Sequence, residues 1–214
     1  MYNLDPNLAK KADVIGAYIQ ESGKYVGTFL RAEKLTSAKA GTDGIGFSFK
    51  DDSGRECRFD IWTRKADGTE LSGLNQINAM MGCLQVRTMK PVMMNVKKWD
   101  NDARTETQQD AECFAELMGK RIGLLLRMEE YDKMEGGQKT GATGWRVGLF
   151  AVFQADTELM ASEIMGRKTK PEALEKVIAM LADKPLKKAA GGSASYNSNS
   201  RPATMDEMDS DIPF

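Results

Sequence analysis

Residues 45–64 read Ile45-Gly-Phe-Ser-Phe-Lys50-Asp-Asp-Ser-Gly-Arg55-Glu-Cys-Arg-Phe-Asp60-Ile-Trp-Thr-Arg64. Two alternating runs flank a turn. In the first, Ile45, Phe47 and Phe49 share one face, and Gly46, Ser48 and Lys50 share the other. Asp51-Asp52-Ser53-Gly54 has the residue types of a tight turn. In the second run Cys57, Phe59 and Ile61 lie together, opposite Glu56, Arg58, Asp60, Trp62 and Arg64. Successive strand side chains point to opposite faces, so the stretch predicts a hairpin with one apolar face. Residues 24–35, rich in aromatic and β-branched types, predict the strand before it. The three make an antiparallel meander.

Outside the meander the period changes. Asp5 and Pro6 suit the cap and first position of a helix over 5–22, with Leu8, Ala12, Ile15 and Ile19 on one face. Leu71, Leu74, Ile77, Met81 and Leu84 make a helical stripe over 69–84. Residues 92–99 read as extended, 100–109 as a polar surface loop, and 110–118 as a short helix. A buried strand is expected over 119–131, a Gly-rich loop from Glu135 to Gly144, and a strand from Trp145 to Gln154. Helices are expected over 157–165 and 170–182, the second opened by a capping box of Thr169 and Glu172.

Three strands, a helical insertion and two more strands is the order of the OB barrel. The fold expected is therefore mainly β: a five-stranded OB-type barrel with an N-terminal helix, a helical insertion between strands 3 and 4, and C-terminal helices. A generic α+β sheet with the same strand count is the alternative. The domain division expected is a body over 1–155, a helical extension over 156–183, a small, polar, flexible linker over 184–204 and an acidic tail over 205–214.

Composition narrows the chemistry. The chain has 214 residues and no histidine, which removes the commonest general base and metal ligand. Cys57, Cys83 and Cys113 are odd in number and lack metal-ligand spacing, which suits buried thiols in a reducing compartment. No apolar run is long enough to span a membrane, and the first residues do not resemble a signal peptide, so a cytoplasmic protein is expected. No cofactor, metal or catalytic residue is expected. The net charge of −1 hides an asymmetry: residues 205–214 hold four acids and no base, so residues 1–204 hold 30 bases against 27 acids. A mildly basic body with an acidic tail suits a binder of polyanions.

The tail reads Met205-Asp-Glu-Met-Asp-Ser210-Asp-Ile-Pro-Phe214. Acidity alone explains a solvated terminus but not its apolar tip. An aromatic anchor beside a carboxylate suits a partner's apolar pocket with a basic rim. Asp-x-Asp-Ile-Pro-Phe behind a small polar linker resembles the tail of bacterial and phage single-stranded-DNA-binding proteins. The likeness covers about ten residues, and Ser210 departs from the family's unbroken acidic run. The resemblance implies single-stranded DNA binding in replication, recombination and repair. It implies that Ile212, Pro213 and Phe214, with Asp206, Glu207, Asp209 and Asp211, recruit partner enzymes of those processes, and that the acids compete with DNA. The leading helix and short linker look more like phage-encoded forms, for which the cytoplasm expected would be the host's.

Binding unpaired strands without sequence preference needs cations for phosphates and flat side chains for bases. Arg58, Trp62 and Arg64 supply both on one face of the third strand. Lys50 shares the polar face of the second, Lys39 sits in the loop before it, and Arg31 lies on the first strand, whose register is ambiguous. Tyr131, Lys139, Trp145 and Arg146 flank the last loop. Phe47, Phe49, Phe150 and Phe153 read as core, while Tyr25 and Phe29 suit either core or stacking. Two other functions fit less of the chain. One is a recombination mediator or strand-annealing protein that carries the same tail. The other is a metal-dependent nuclease, for which Asp100, Asp102, Glu129, Glu130 and Asp132 are the nearest carboxylates.

Overall fold

A computed structural model describes residues 17–100 and 103–186. The expected hairpin is there: β2 (Asp43–Asp51) pairs antiparallel with β3 (Glu56–Arg64), with Phe47 opposite Phe59 and Phe49 opposite Cys57. Its turn is tied by the Asp51 carboxylate, which accepts from the amides of Ser53 at 3.0 Å and Arg55 at 2.8 Å. The preceding strand, β1 (Gly23–Thr36), pairs with β2. Phe29, Phe47, Phe49 and Phe59 bury their rings together, with Phe29 and Phe47 centred 4.7 Å apart. Tyr25 and Phe29 are thus core residues.

A bulge in β1 settles the ambiguous register. Phe29 faces Phe49 in the core, yet Arg31 is paired with Ser48 and Ala32 with Phe47, so Leu30 is the extra residue. A bulge shifts the alternation by one. Arg31 therefore shares the outer face with Glu33, not the core face with Phe29.

The insertion after β3 holds one helix and a β-ribbon rather than helices alone. Helix α1 (Gly73–Cys83) buries Ile77, Met80 and Cys83 against the core. A Cβ on Gly73 would lie 2.1 Å from the Trp62 carbonyl oxygen, so only glycine lets the helix start so close to β3. Asp100 and residues 105–113, expected as parts of a loop and a helix, belong instead to a ribbon of β4 (Val92–Asp100) and β5 (Thr105–Cys113). What remains of the expected helix is a single 3₁₀ turn at Ala115–Leu117.

The last two strands are longer than expected. β6 (Arg121–Glu135) and β7 (Gln138–Phe153) meet at Gly136 and Gly137, whose φ values of 58° and 83° match a two-residue type I′ turn. The expected Gly-rich loop over 135–144 is therefore mostly strand. β6 runs beside β1 only as far as the Gly23–Leu126 pair, and beyond it the two strands form a projecting arm. Residues 17–22 are not helical. Tyr18 bridges Glu56, and Ile19 donates to the Glu56 carbonyl at 2.9 Å. The rest of the expected N-terminal helix, 5–16, lies outside the described residues.

The molecule is thus mainly β, with seven antiparallel strands in one sheet that is not closed. β1 is its centre: it pairs with β2 on one edge, and on the other with β6 and, through Glu33 and Cys113, with β5. Two short helices, α2 (Ala161–Met165) and α3 (Leu174–Ala179), replace the longer ones expected. They share the body's core, since Leu174 packs with Leu125 and Phe153. The buried Glu163 carboxylate joins them by accepting backbone N–H groups from Met160, Glu172 and Ala173. Among the described residues no helix is long and apolar enough to cross a membrane.

All three cysteines are buried and free. Burial pushes the Cys57 and Cys83 thiols up to about 12 and raises that of Cys113 as well. The thiolate is the reactive form. A thiol reagent at pH 8 is therefore expected to label none of them in the native protein and all three after denaturation. Rapid labelling of the native chain would contradict this packing.

Candidate nucleic-acid interface

β3 and β7 approach each other without forming a ladder, and the space between them is a cleft of about 510 Å³. One wall is the outer face of β3, with Arg58, Asp60 and Trp62 at alternate positions. The other is β6 and β7, with Arg127, Glu129, Arg146, Gly148 and Phe150, and Lys184 from the chain after α3. Four cations thus face two carboxylates and two aromatic rings.

The second wall is ordered by its own contacts. Arg127 Nε donates to Glu129 at 2.8 Å, and its guanidinium lies 5.3 Å from the Phe150 ring centre. Arg146 lies 3.8 Å from Glu129 and 5.8 Å from the Tyr131 ring centre. Lys184 is held by backbone bonds: its amide donates to Met128 at 2.8 Å, and its carbonyl accepts from Glu130 at 2.9 Å. Residues 184–186, expected as the start of a free linker, instead extend along β6 where β1 stops. The Leu186 amide donates to the Glu130 carboxylate at 3.0 Å. Residues 187–204 and the tail with Asp206, Glu207, Asp209, Asp211, Ile212, Pro213 and Phe214 lie outside the described residues.

Of the ten expected DNA contacts, the fold brings Arg58, Trp62 and Arg146 into the cleft, and Tyr131 stands behind Arg146. The others lie elsewhere. Lys39 is exposed in the β1–β2 turn. Lys50 pairs with Glu56 at 3.3 Å, at the far end of β3 from Trp62. Arg64 pairs with Glu70 at 3.5 Å, and Lys139 with Asp132 at 2.6 Å out on the arm. Trp145 is 49% exposed and, as the neighbour of Arg146 on a strand, points to the arm's other face. Arg31 donates to the Lys97 carbonyl at 2.6 Å.

That last bond belongs to a larger arrangement. The β4–β5 ribbon leans across the outer face of the meander. Besides Arg31, Lys98 pairs with Glu33 at 2.5 Å, and Glu106 lies 4.0 Å from Arg58. Ser48, between Arg31 and Arg58 in the strand register, is buried. The face expected to lie open is therefore partly roofed, and the β3–β7 cleft is the part left open. The ribbon's own exposed face carries Trp99, 51% exposed, with Lys97, but also Glu106, Asp110 and Glu112. That excess of acid does not suit phosphate.

Sequence reading missed Arg127 and Lys184; Phe150, read as core, packs half-buried against the cluster of Leu125, Phe153 and Leu174 and also lines the cleft. Arg127 sits at the end of a leucine run and Phe150 within an apolar strand, so only the placement of their wall opposite β3 reveals them. The nuclease carboxylates are scattered: Glu129 is paired with arginines, Asp132 with Lys139, and the Asp100 carboxylate accepts the Ala103 amide at 3.0 Å. Asp102 lies outside the described residues.

Asp60, on the outward face of β3, is a titrating group of the cleft. Desolvation pushes its carboxyl above the usual range, Arg146 partly offsets this, and Glu33 adds to it. Ionised Asp60 repels phosphate, and protonation removes that repulsion. Affinity for a polyanion is therefore expected to rise as pH falls into the range where Asp60, raised above the ordinary carboxylate value, takes up its proton. Asp60→Asn should show several-fold tighter binding at pH 7 and a flatter pH profile. The same raised value means that this group's contribution to stability grows as pH falls, so the variant should melt no lower than wild type at pH 7. A pH profile identical in the variant would remove Asp60 from the cleft's electrostatics.

No protein-family model matches the chain, and no curated protein matches it either.

Proposed function

We propose that the chain binds single-stranded DNA without sequence preference, in the β3–β7 cleft, and recruits replication, recombination or repair proteins through the tip of its tail. The observation that carries the reading is the composition of the cleft. Arg58, Arg127, Arg146 and Lys184 offer charge to phosphates, while Trp62 and Phe150 offer flat surfaces to bases. Those are the two requirements of single-strand binding. The cleft is also fit for strands rather than duplex, because its rings stand in a recess where only splayed bases reach them.

The strand order supports the same reading. β1, β2, β3, β6 and β7 follow the sequence of an OB-type barrel, left open between its third and fifth strands. On this reading the cleft is the gap of the barrel, and the β4–β5 ribbon is an addition that narrows access to it. The tail resembles that of single-stranded-DNA-binding proteins, and it follows a chain that passes the cleft at Lys184.

The deciding experiment is a fluorescence titration with oligo(dT) at several salt concentrations. Tight binding at low salt is expected, with log K falling linearly against log salt because phosphate contacts release counterions. Tighter binding to duplex than to single strands would refute the proposal. Annealing of complementary strands by large rings would favour the strand-annealing alternative. Deleting residues 205–214 is expected to leave oligo(dT) affinity equal or higher and to abolish capture of partner enzymes. Loss of DNA binding on that deletion would show that the tail is not a competitor.

A further inference from the structure

The cationic cleft continues into a second pocket. Gln76, Leu149 and Phe150 line both, and the second space, about 300 Å³, lies between α1, β7 and the start of α2. Its chemistry differs. Ala79, Val152, Met160 and Ala161 form much of its wall, and no charged side chain lines it. Phe150 stands at the junction, half-buried, with the Arg127 guanidinium on its ring. Gln76 spends a side-chain N–H on the Leu149 carbonyl at 3.1 Å, which leaves its side-chain oxygen as an acceptor at the same junction.

Resting on the single-strand reading above, we propose that this pocket receives one unpaired nucleobase from a strand lying in the cleft. A nucleotide is a flat, uncharged, largely apolar base tethered to a charged phosphate. The two spaces put those two chemistries side by side. Phosphate stays in the cleft with Arg127 and Arg146, and the base turns across Phe150 into the apolar pocket. The volume is at the lower end of small-molecule sites, about 300–1,000 Å³. A free anion has no cation to meet inside the pocket, and a purely apolar ligand makes no use of the arginines at its mouth. The Gln76 oxygen favours a base that presents an N–H, as thymine does.

The test compares two probes, oligo(dT) and an abasic deoxyribose-phosphate oligomer of equal length, against two variants. Ala79→Phe fills the pocket from α1, and Phe150→Leu removes the stacking ring while keeping apolar bulk. Each is expected to lose about tenfold in affinity for oligo(dT), in line with the loss of one stacked base, and nothing for the abasic oligomer. A 2-aminopurine placed in oligo(dT) should be quenched by wild type and less so by Phe150→Leu. Unchanged oligo(dT) affinity in Phe150→Leu would overturn the assignment, as would equal losses for both oligomers. Should Ala79→Phe fail to fold, Ala161→Leu, which fills the same pocket from the start of α2 and lies outside the cleft, takes its place. If wild type binds neither oligomer, the single-strand reading itself fails and the pocket loses its ligand with it.

Discussion

Replacing Arg58 and Arg146 together by alanine is expected to weaken oligo(dT) binding about a hundred-fold at low salt. The two guanidinium groups stand on opposite walls of the cleft, one on β3 and one on β7, so a strand between them meets both. Hydrogen bonds to charged groups contribute about 1.5–3 kcal/mol each. Two at the lower figure make about 3 kcal/mol, and each 1.4 kcal/mol is a factor of ten. Both residues already have acidic neighbours, Glu106 at 4.0 Å and Glu129 at 3.8 Å. Phosphate must displace or share those contacts, which places the estimate at the low end. The salt dependence gives a second readout. Each phosphate contact on a single strand adds about 0.7 to the slope of log K against log salt, so the double variant should be shallower by about 1.4. A lower affinity with an unchanged slope would mean that the arginines hold the cleft's shape and not the phosphates.

Trp62→Ala is the second large effect. Trp62 is half-buried, and its ring lines the cleft on the same face as Arg58 and Asp60. Stacking of a base on an aromatic side chain is worth about 1–3 kcal/mol by alanine substitution, roughly five- to a hundred-fold in affinity. Trp99 and Trp145 remain, both exposed, so fluorescence quenching by DNA should shrink without vanishing. The variant must be melted as well, because Trp62 also packs on Gly44 across the hairpin. A drop in melting temperature with no change in affinity would make Trp62 a roof over the sheet and not a stacking platform.

The hairpin over 45–64 is legible in the sequence because its alternation is complete: every inward side chain is apolar and nearly every outward one polar. Register then follows from burial of one face. The β4–β5 ribbon is not legible, for the opposite reason. Met93 and Trp99 are exposed while Met94 and Val96 on the alternate face are half-buried, and β5 is polar on both faces up to Asp110, with only Ala111 and Cys113 buried at its end. Such strands are held by their backbone ladder and by the charged ties to Arg31, Glu33 and Arg58. No local period announces them. The long arm of β6 and β7 was masked by its glycines, of which only Gly136 and Gly137 form the turn.

The sequence by itself determined the meander, the apolar face of β3, the residues Arg58 and Trp62 opposite it, and the acidic tail with its Ile-Pro-Phe end. Those are properties of neighbours along the chain. Only the tertiary structure decided that Arg31 points outward, since a bulge shifts the alternation without leaving a mark in composition. It alone brought Arg127, Arg146, Phe150 and Lys184 against β3. A cleft belongs to two walls, and its far wall comes from strands whose own pattern shows only that they are buried at one end and solvated at the other.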